Sequence, residues 1–273
     1  MKIILFGSEG IIGTEVKKYL LKINSEIYLI ENRTKIKRNK KYKVVKKNFF
    51  YKKNSINEND ILIYLAWGNL NNFNSYLHLK REQYQHYFNI SKLIENGLRN
   101  VVVSGTCLEY KKKIGMLSET SKVDPLTKYG KAKNNLRKKL EKLSKKYKIN
   151  FNWLRIFYIY GHLKNNNNLW SKLIKFSNYN KNRNFKMSSG EQYRDYIHTK
   201  DLAQNIVNIA IKKKNFGIIN VCSGKPVQIK RLVKKWKIRY KLKINFIFNR
   251  LAMPSYESIK FWGNNKKLKK ILK

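Results

Sequence analysis

The stretch MKIILFGSEGIIGT, residues 1–14, decides the fold. Lys2 to Phe6 is a short apolar run, as a buried strand requires. Gly7, Gly10 and Gly13 follow at once in GSEGIIG, and a helical pattern runs from Thr14 to about Leu21. Glycine is needed where a chain turns tightly and where backbone must approach a pyrophosphate closely. The opening of the helix, at Ile11, Ile12 and Gly13, adds free N–H groups and a partial positive charge. Three glycines alone say little. Placed between a first strand and a first helix, they read as a dinucleotide-binding turn.

Further along the chain, Ile27 to Ile30 and Val44-Val45 read as strands. Ile61 to Ala66 (ILIYLA) is continuously apolar and bounded by Asn-Asp, as a strand buried on both faces should be. Leu65 and Ala66 at its end are assigned to the cofactor site, and Trp67 beside them is either pocket wall or core. A helical pattern near 76–97, a strand at Val101 to Val103, and a helix over 127–147 with Leu136, Leu140, Leu143 and Tyr147 on one stripe come next. Trp153 to Tyr158 and Ile218 to Val221 complete the strands. Strands alternating with helices predict an α/β fold, a doubly wound parallel sheet of the Rossmann kind. Residues 1–160 are expected to be mainly the dinucleotide-binding domain. Residues 161–273 are expected to form mainly a small substrate-capping lobe, with residues near 194–222 returning to the sheet. Asn165 to Asn168 read as a loop.

Lys and Arg number 61 against 16 Asp and Glu, a formal +45. Such a field attracts polyanions. The lysines are spread over every segment, however, among abundant Asn, Ile, Tyr and Phe, and no zinc-finger, RNP or basic-zipper pattern accompanies them. We read the charge as compositional bias, with weak salt-sensitive stickiness but no dedicated nucleic-acid site. No apolar run is long enough to span a membrane, and the N-terminus reads as a strand and not as a signal peptide. Cys107 and Cys222 lack a CxxC partner, so neither disulfide nor metal is expected and a cytoplasmic setting fits. His78, His86, His162 and His198 show no metal-ligand spacing.

Glu31 stands 18 positions after Gly13, at the end of the second strand. A carboxylate there can bond both ribose hydroxyls and repel a 2′-phosphate, which favours NAD. Arg33 could instead hold that phosphate, so NADP stays open. Tyr129 and Lys133, in YGKAK, lie one helical turn apart on one face. A free tyrosine, with pKa about 10, is a poor base at neutral pH. A neighbouring ammonium and the positive nicotinamide ring both favour the phenolate, so the two are expected to bring Tyr129 down towards working pH, with Lys133 also holding the nicotinamide ribose. The polar segment Ser104-Gly105-Thr106, after a strand, offers a hydroxyl to the same substrate oxygen.

Taken together, GSEGIIG, LIYLAW at 62–67, SGTCLEY at 104–110, YGKAK, LRIFYIYG at 154–161, RDYIHTKDLA at 194–203 and NVCSG at 220–224 resemble the nucleotide-sugar epimerase/dehydratase family of extended short-chain dehydrogenases. The resemblance runs almost end to end. It implies Thr106 as the catalytic hydroxyl with Tyr129 as base and Lys133 as its support. It also implies Thr106, Tyr158 and Arg194 on the substrate, Arg194 at the diphosphate, and a nucleotide sugar as substrate. Asn89 is implied to hold backbone in place, and the assembly to be a homodimer. Dehydratases of this family carry Asp-Glu after the catalytic threonine, where Cys107-Leu108 stand here, so dehydration is disfavoured. Tyr158 replaces the asparagine of many epimerases. The chain stops at Lys273, so part of the usual substrate lobe is expected to be missing.

Two classes of function follow. One is an enzyme passing hydride between NAD(P) and C4 of a nucleotide-linked hexose, as 4-epimerase or 4-ketoreductase, for surface polysaccharide synthesis. The other is an idle dinucleotide binder acting as sensor or assembly factor, against which the joint presence of Thr106, Tyr129 and Lys133 speaks. Asp195 and Asp201 are expected to anchor loops and a helix start, and His198 to pack among them.

Overall fold

The computed structural model describes all residues except 32–34, 53, 112–113, 162–167, 180–182 and 254–257. Arg33, His162 and most of the Asn165 to Asn168 stretch therefore lie outside the described residues. In the first half, strand and helix alternate as β1 (Lys2–Phe6), α1 (Ile11–Leu20), β2 (Glu26–Glu31), β3 (Lys43–Lys46), β4 (Ile61–Tyr64), α2 (Gln83–Glu95), β5 (Asn100–Thr106), β6 (Gly115–Leu117), α3 (Lys128–Lys146) and β7 (Asn150–Ile156). The second half adds β8 (Tyr158–Tyr160), α4 (Leu169–Tyr179), β9 (Asn184–Lys186), β10 (Tyr193–His198), α5 (Thr199–Ile211), β11 (Gly217–Val221), β12 (Pro226–Gln228), α6 (Ile229–Arg239), β13 (Asn245–Ile247), β14 (Phe261–Gly263) and α7 (Lys266–Leu272).

Seven strands form one sheet in the order β11-β7-β5-β4-β1-β2-β3, every pairing parallel. A strand with helices on both faces must be apolar on both, which is why Ile3, Ile4 and Leu5 run without alternation. Ile3 and Leu5 face Val16 and Leu20 of α1, Leu202 and Ile206 of α5, and Leu268 and Ile271 of α7. Ile4 and Phe6 face Ile90 and Leu93 of α2 and Leu136 and Leu140 of α3. The chain builds outward from β1 through β2 to β3, then crosses to β4 and builds the other way. The strand order thus reverses between β1 and β4. The carboxyl ends of strands at such a switch point open a crevice where ligands bind.

Smaller sheets make the rest: β12-β10-β8, the pair β13-β9 and the pair β14-β6. Trp170 and Leu173 of α4, Val233 and Trp236 of α6, Met187 and Ile244 give this part its own core. The last helix, KKLKKIL, returns to the large sheet with Leu268 and Ile271. No helix among the described residues is long and apolar enough to cross a membrane.

Candidate active site

The glycine turn lies at the switch point. Gly7 sits at φ +85°, and a Cβ there would stand 2.8 Å from the Ala66 backbone nitrogen. The turn thus packs directly on the segment after β4, where the Leu65 N–H donates to the Phe6 carbonyl at 3.0 Å. Gly13 is stricter still, since its Cβ would fall 2.0 Å from the Gly7 carbonyl oxygen. Gly10 differs. It caps α1 at φ −72°, and its Cβ would meet only the Gly7 carbonyl, at 3.3 Å. Packing within the chain therefore demands glycine at 7 and 13, whereas at 10 the reason is the open space above the turn. No side chain caps α1, so the N–H groups of Ile11, Ile12 and Gly13 are left for a ligand. Such a cradle fits a pyrophosphate. Glu9 within it is neutralised by Lys17 at 2.7 Å. Glu31 ends β2, its carboxylate accepting from the Ile36 N–H at 3.1 Å and pairing with Lys46 at 2.9 Å. That pairing, with the Ile36 N–H, holds it below the usual carboxylate range and therefore ionised.

Thr106 is the last residue of β5, and Tyr129 and Lys133 are buried on the first turns of α3. Thr127 starts that helix by accepting from the Gly130 N–H at 3.0 Å. Gly130 lets α3 approach closely, because a Cβ there would lie 2.4 Å from the Leu108 carbonyl oxygen. Thr106 lies close enough to Tyr129 for its hydroxyl to favour the phenolate. The Lys133 Nζ donates to the Ser104 carbonyl at 2.6 Å and lies over the Trp67 ring at 4.1 Å. Trp67 thus packs both on the core behind the sheet and against Lys133. With no dinucleotide bound, burial sets the charge states of this pair. It pushes the Tyr129 phenol up, with Glu109 and Cys107 adding to the effect and the Thr106 hydroxyl opposing it. Burial brings the Lys133 ammonium down to about 7. In the ligand-free protein desolvation outweighs attraction between the two, so Tyr129 rests as a neutral phenol.

Sequence reasoning missed two polar clusters beneath this pair. In the first, the fully buried Glu109 accepts from the Thr106 N–H and from Trp153 and Arg155. In the second, Glu82 accepts from the Gly68 N–H at 3.1 Å and the Asn69 amide at 3.1 Å, fixing the loop after β4. Glu82 also contacts His86 at 3.2 Å, and His86 meets the Tyr64 hydroxyl at 2.7 Å. The Trp67 indole donates to His78 Nδ1 at 3.1 Å, while His78 Nε2 reaches the Asn72 carbonyl at 2.9 Å. Burial lowers the His78 pKa, in keeping with a neutral ring that holds Trp67. The spacing of His78, Glu82 and His86, four apart on one helical face, was the available signal.

Against known proteins, residues 3–222 match the NAD dependent epimerase/dehydratase family. The chain belongs to that family. A dTDP-6-deoxy-L-talose 4-dehydrogenase (NAD(+)) from Aggregatibacter actinomycetemcomitans is 32% identical over 205 residues, covering 75% of each chain. Among solved structures, UDP-N-acetylglucosamine 4-epimerase from Methanobrevibacter ruminantium, in complex with UDP-N-acetylmuramic acid, gives TM-score 0.80 at 18% identity, covering 99% of this chain and 91% of that one. UDP-glucuronic acid 4-epimerase from Bacillus cereus, in complex with NAD, gives 0.78 at 19%, covering 100% and 90%. At such identities these structures speak for the fold, which is shared almost end to end.

The two residues expected on the substrate side, Tyr158 and Arg194, lie on the neighbouring strands β8 and β10. Tyr158 opens β8 and stacks near Tyr196 and Phe261, with ring centroids 5.4 and 6.0 Å away. Arg194 on β10 is buried, its guanidinium 4.9 Å from the Phe261 ring and 5.7 Å from that of Tyr158. One of its nitrogens donates to the Tyr193 carbonyl at 2.8 Å. Asn89 corrects an expectation. Its side chain bonds the Tyr51 and Tyr64 hydroxyls, at 2.8 and 3.2 Å, and not backbone, because α2 turns it towards those rings. Asp195 does anchor loops, accepting from the N–H groups of Ser223, Gly224 and Gly263. His198 caps α5 through the Lys200 N–H at 3.1 Å, and Asp201 lies in that helix's first turn.

Proposed function

We propose that this protein is an NAD-dependent C4 oxidoreductase of a nucleotide-linked 6-deoxyhexose, interconverting the 4-hydroxyl and 4-keto sugars. The observation that carries this is the meeting of Thr106, Tyr129 and Lys133 at the switch-point crevice, with Cys107 and Leu108 directly after Thr106. NAD is favoured by the ionised Glu31, with Gly7, Gly10, Ile11, Ile12 and Gly13 at the pyrophosphate and Leu65, Ala66 and Trp67 along the wall. When bound, NAD accepts or returns the hydride at C4. Thr106 hydrogen-bonds O4, and Tyr129 takes the O4 proton in oxidation and gives it back in reduction. A positive charge arriving over Tyr129 lowers its pKa, so the base is armed only in the ternary complex. Lys133 exchanges the Ser104 carbonyl for the ribose hydroxyls. Arg194 and Tyr158 face the diphosphate and the sugar. The relative's 4-dehydrogenase activity favours net oxidation or reduction over epimerisation. We further place the protein in the cytoplasm, in surface polysaccharide synthesis. We also propose a homodimer through α2, whose Tyr84 and Phe88 are exposed on its outer face.

The test follows absorbance at 340 nm with dTDP-, UDP-, GDP- and CDP-linked 6-deoxyhexoses and their 4-keto forms. Stoichiometric change in NADH is expected with at least one of them. In Tyr129→Phe turnover should fall by more than about 100-fold while NAD affinity stays put. Interconversion of epimers without net NADH change would replace the oxidoreductase by an epimerase. NAD binding with no turnover on any sugar would leave a sensor. Light scattering tests the dimer, and a monomer at micromolar concentration would refute it.

A further inference from the structure

We propose that Glu109 is a positioning residue for the catalytic threonine: its buried carboxylate grips the Thr106 backbone and holds the Thr106 hydroxyl towards Tyr129. This rests on the roles given above to Thr106 and Tyr129.

A carboxylate with no exposure costs several kcal/mol unless its oxygens are matched by donors. Glu109 has such a set. Oε1 takes the Thr106 N–H at 2.8 Å and the Trp153 indole N–H at 2.9 Å. Oε2 takes the Arg155 Nε at 3.0 Å and lies 3.9 Å from the Arg137 Nε. Trp153 and Arg155 are two apart on β7, so one face of that strand presents both. Gly105 records how closely the carboxylate lies against β5: a Cβ there would stand 2.2 Å from the Trp153 Nε1 and 2.7 Å from the Glu109 Oε1. Any other residue at 105 would push the carboxylate away from the strand that ends in Thr106.

The grip is reciprocal. While Glu109 holds the Thr106 N–H, the Thr106 Oγ1 accepts from the Leu108 N–H at 3.3 Å, closing a capping box over Cys107–Glu109. With one lone pair of Oγ1 engaged in this way, the other lone pair and the hydroxyl proton are left for Tyr129, whose phenolate the hydroxyl favours. A short turn of one residue triplet has little rigidity of its own. The bond from Arg155 and Trp153 on a neighbouring strand supplies it. The carboxylate also acts at a distance, because its charge opposes the phenolate of Tyr129 and supports the ammonium of Lys133. The other groups facing it are Arg137 of α3, Arg155 of β7, and Cys107 and Tyr110 of its own segment, with the Arg155 guanidinium 4.4 Å from the Tyr110 ring.

Glu109→Gln removes the charge and keeps the shape; Glu109→Asp keeps the charge and withdraws it from the Thr106 N–H. In Glu109→Gln kcat should fall at least tenfold with KM for NAD and sugar within twofold. The acid limb of the oxidation profile should move to lower pH, since the Glu109 charge that opposes the Tyr129 phenolate is gone. In Glu109→Asp kcat should fall while that limb stays in place. The Thr106 side-chain rotamer, read by three-bond couplings or a crystal structure, should become mixed in both. Unchanged kcat and pH limb per folded molecule, whatever the melting temperature, would overturn the proposal. If wild type turns over no sugar, the functional reading falls instead. The rotamer then still decides: a fixed Thr106 in both variants refutes the role of Glu109, and a mixed one upholds it. Should Glu109→Gln fail to fold, Glu109→Asp carries the same kcat and rotamer comparison.

Discussion

Lys133→Met should make the protein more stable and inactive, and the gain should fade as pH rises. The lysine is buried, and its pKa drops from the ordinary 10.5 to about 7. At about 1.4 kcal/mol per pKa unit, that drop corresponds to a cost of roughly 5 kcal/mol for keeping the folded lysine charged. Above the unfolded value both states are neutral and the cost vanishes; below the folded value both are charged and the cost is complete. In between, unfolding takes up a proton, so this group makes stability rise with pH. At pH 9 about 2 kcal/mol of the cost remains. Methionine matches the lysine stem in length and packs against Trp67, but it abandons the Ser104 carbonyl, which costs about 1–3 kcal/mol when left unpaired. The net is a stabilisation of about 2–4 kcal/mol at pH 7 and close to none at pH 9. Urea unfolding of ligand-free wild type and variant at both pH values measures the difference, in which the shared effect of the net +45 charge cancels. In melting temperature, each kcal/mol is about 2–4 °C for a chain of this size. A variant less stable than wild type at pH 7 would refute the reasoning. It would mean that Glu109 and Glu82 hold the ammonium as a net stabilising charge.

The glycine turn gives a paired test: Gly10→Ala should fold with stability within about 0.5 kcal/mol of wild type yet bind NAD at least tenfold more weakly, whereas Gly13→Ala should lose the fold itself. Calorimetry with NAD and thermal melts read both, and wild-type affinity in Gly10→Ala would remove the pyrophosphate from this turn. The protein should not convert a nucleotide-linked hexose into its 4-keto-6-deoxy form, because elimination across C5–C6 needs one group for the C5 proton and another for the departing hydroxyl. Mass spectrometry showing loss of water would overturn that.

The large sheet was legible because its signals are local. A continuous apolar run such as Ile61 to Tyr64 can only be a strand covered on both faces, and Gly7 at the end of such a run can only be a tight turn against the next one. The proximity of Tyr129 and Lys133 was legible because they share a helical face, whereas the part proposed for Thr106 came from the resemblance of SGTCLEY to the family. What escaped depends on contacts between distant residues. Glu109 meets Trp153 44 positions away, and nothing near Glu109 in sequence marks it as buried. The helix Lys266–Leu272 drew no reading from the sequence, because four of its seven residues are lysine and only the fold shows Leu268 and Ile271 under the sheet. The charge states of Tyr129 and Lys133 without a bound dinucleotide were not legible either. Spacing reveals that two groups are neighbours, whereas burial decides which charge state each can keep.

Burial also explains why Cys107 and Leu108 matter beyond the absence of an acid and a base. Cys107 packs with Tyr110, Leu117, Phe157, Cys222 and Phe261 in a small apolar cluster between the large sheet and the β14-β6 pair. A carboxylate placed at 107 would be taken from water, and beside it stands Glu109, already holding the cations of this region. The extra negative charge would push the Tyr129 phenol higher still and disarm the base. A site that keeps one buried carboxylate for Thr106 therefore has no room for the pair that elimination requires.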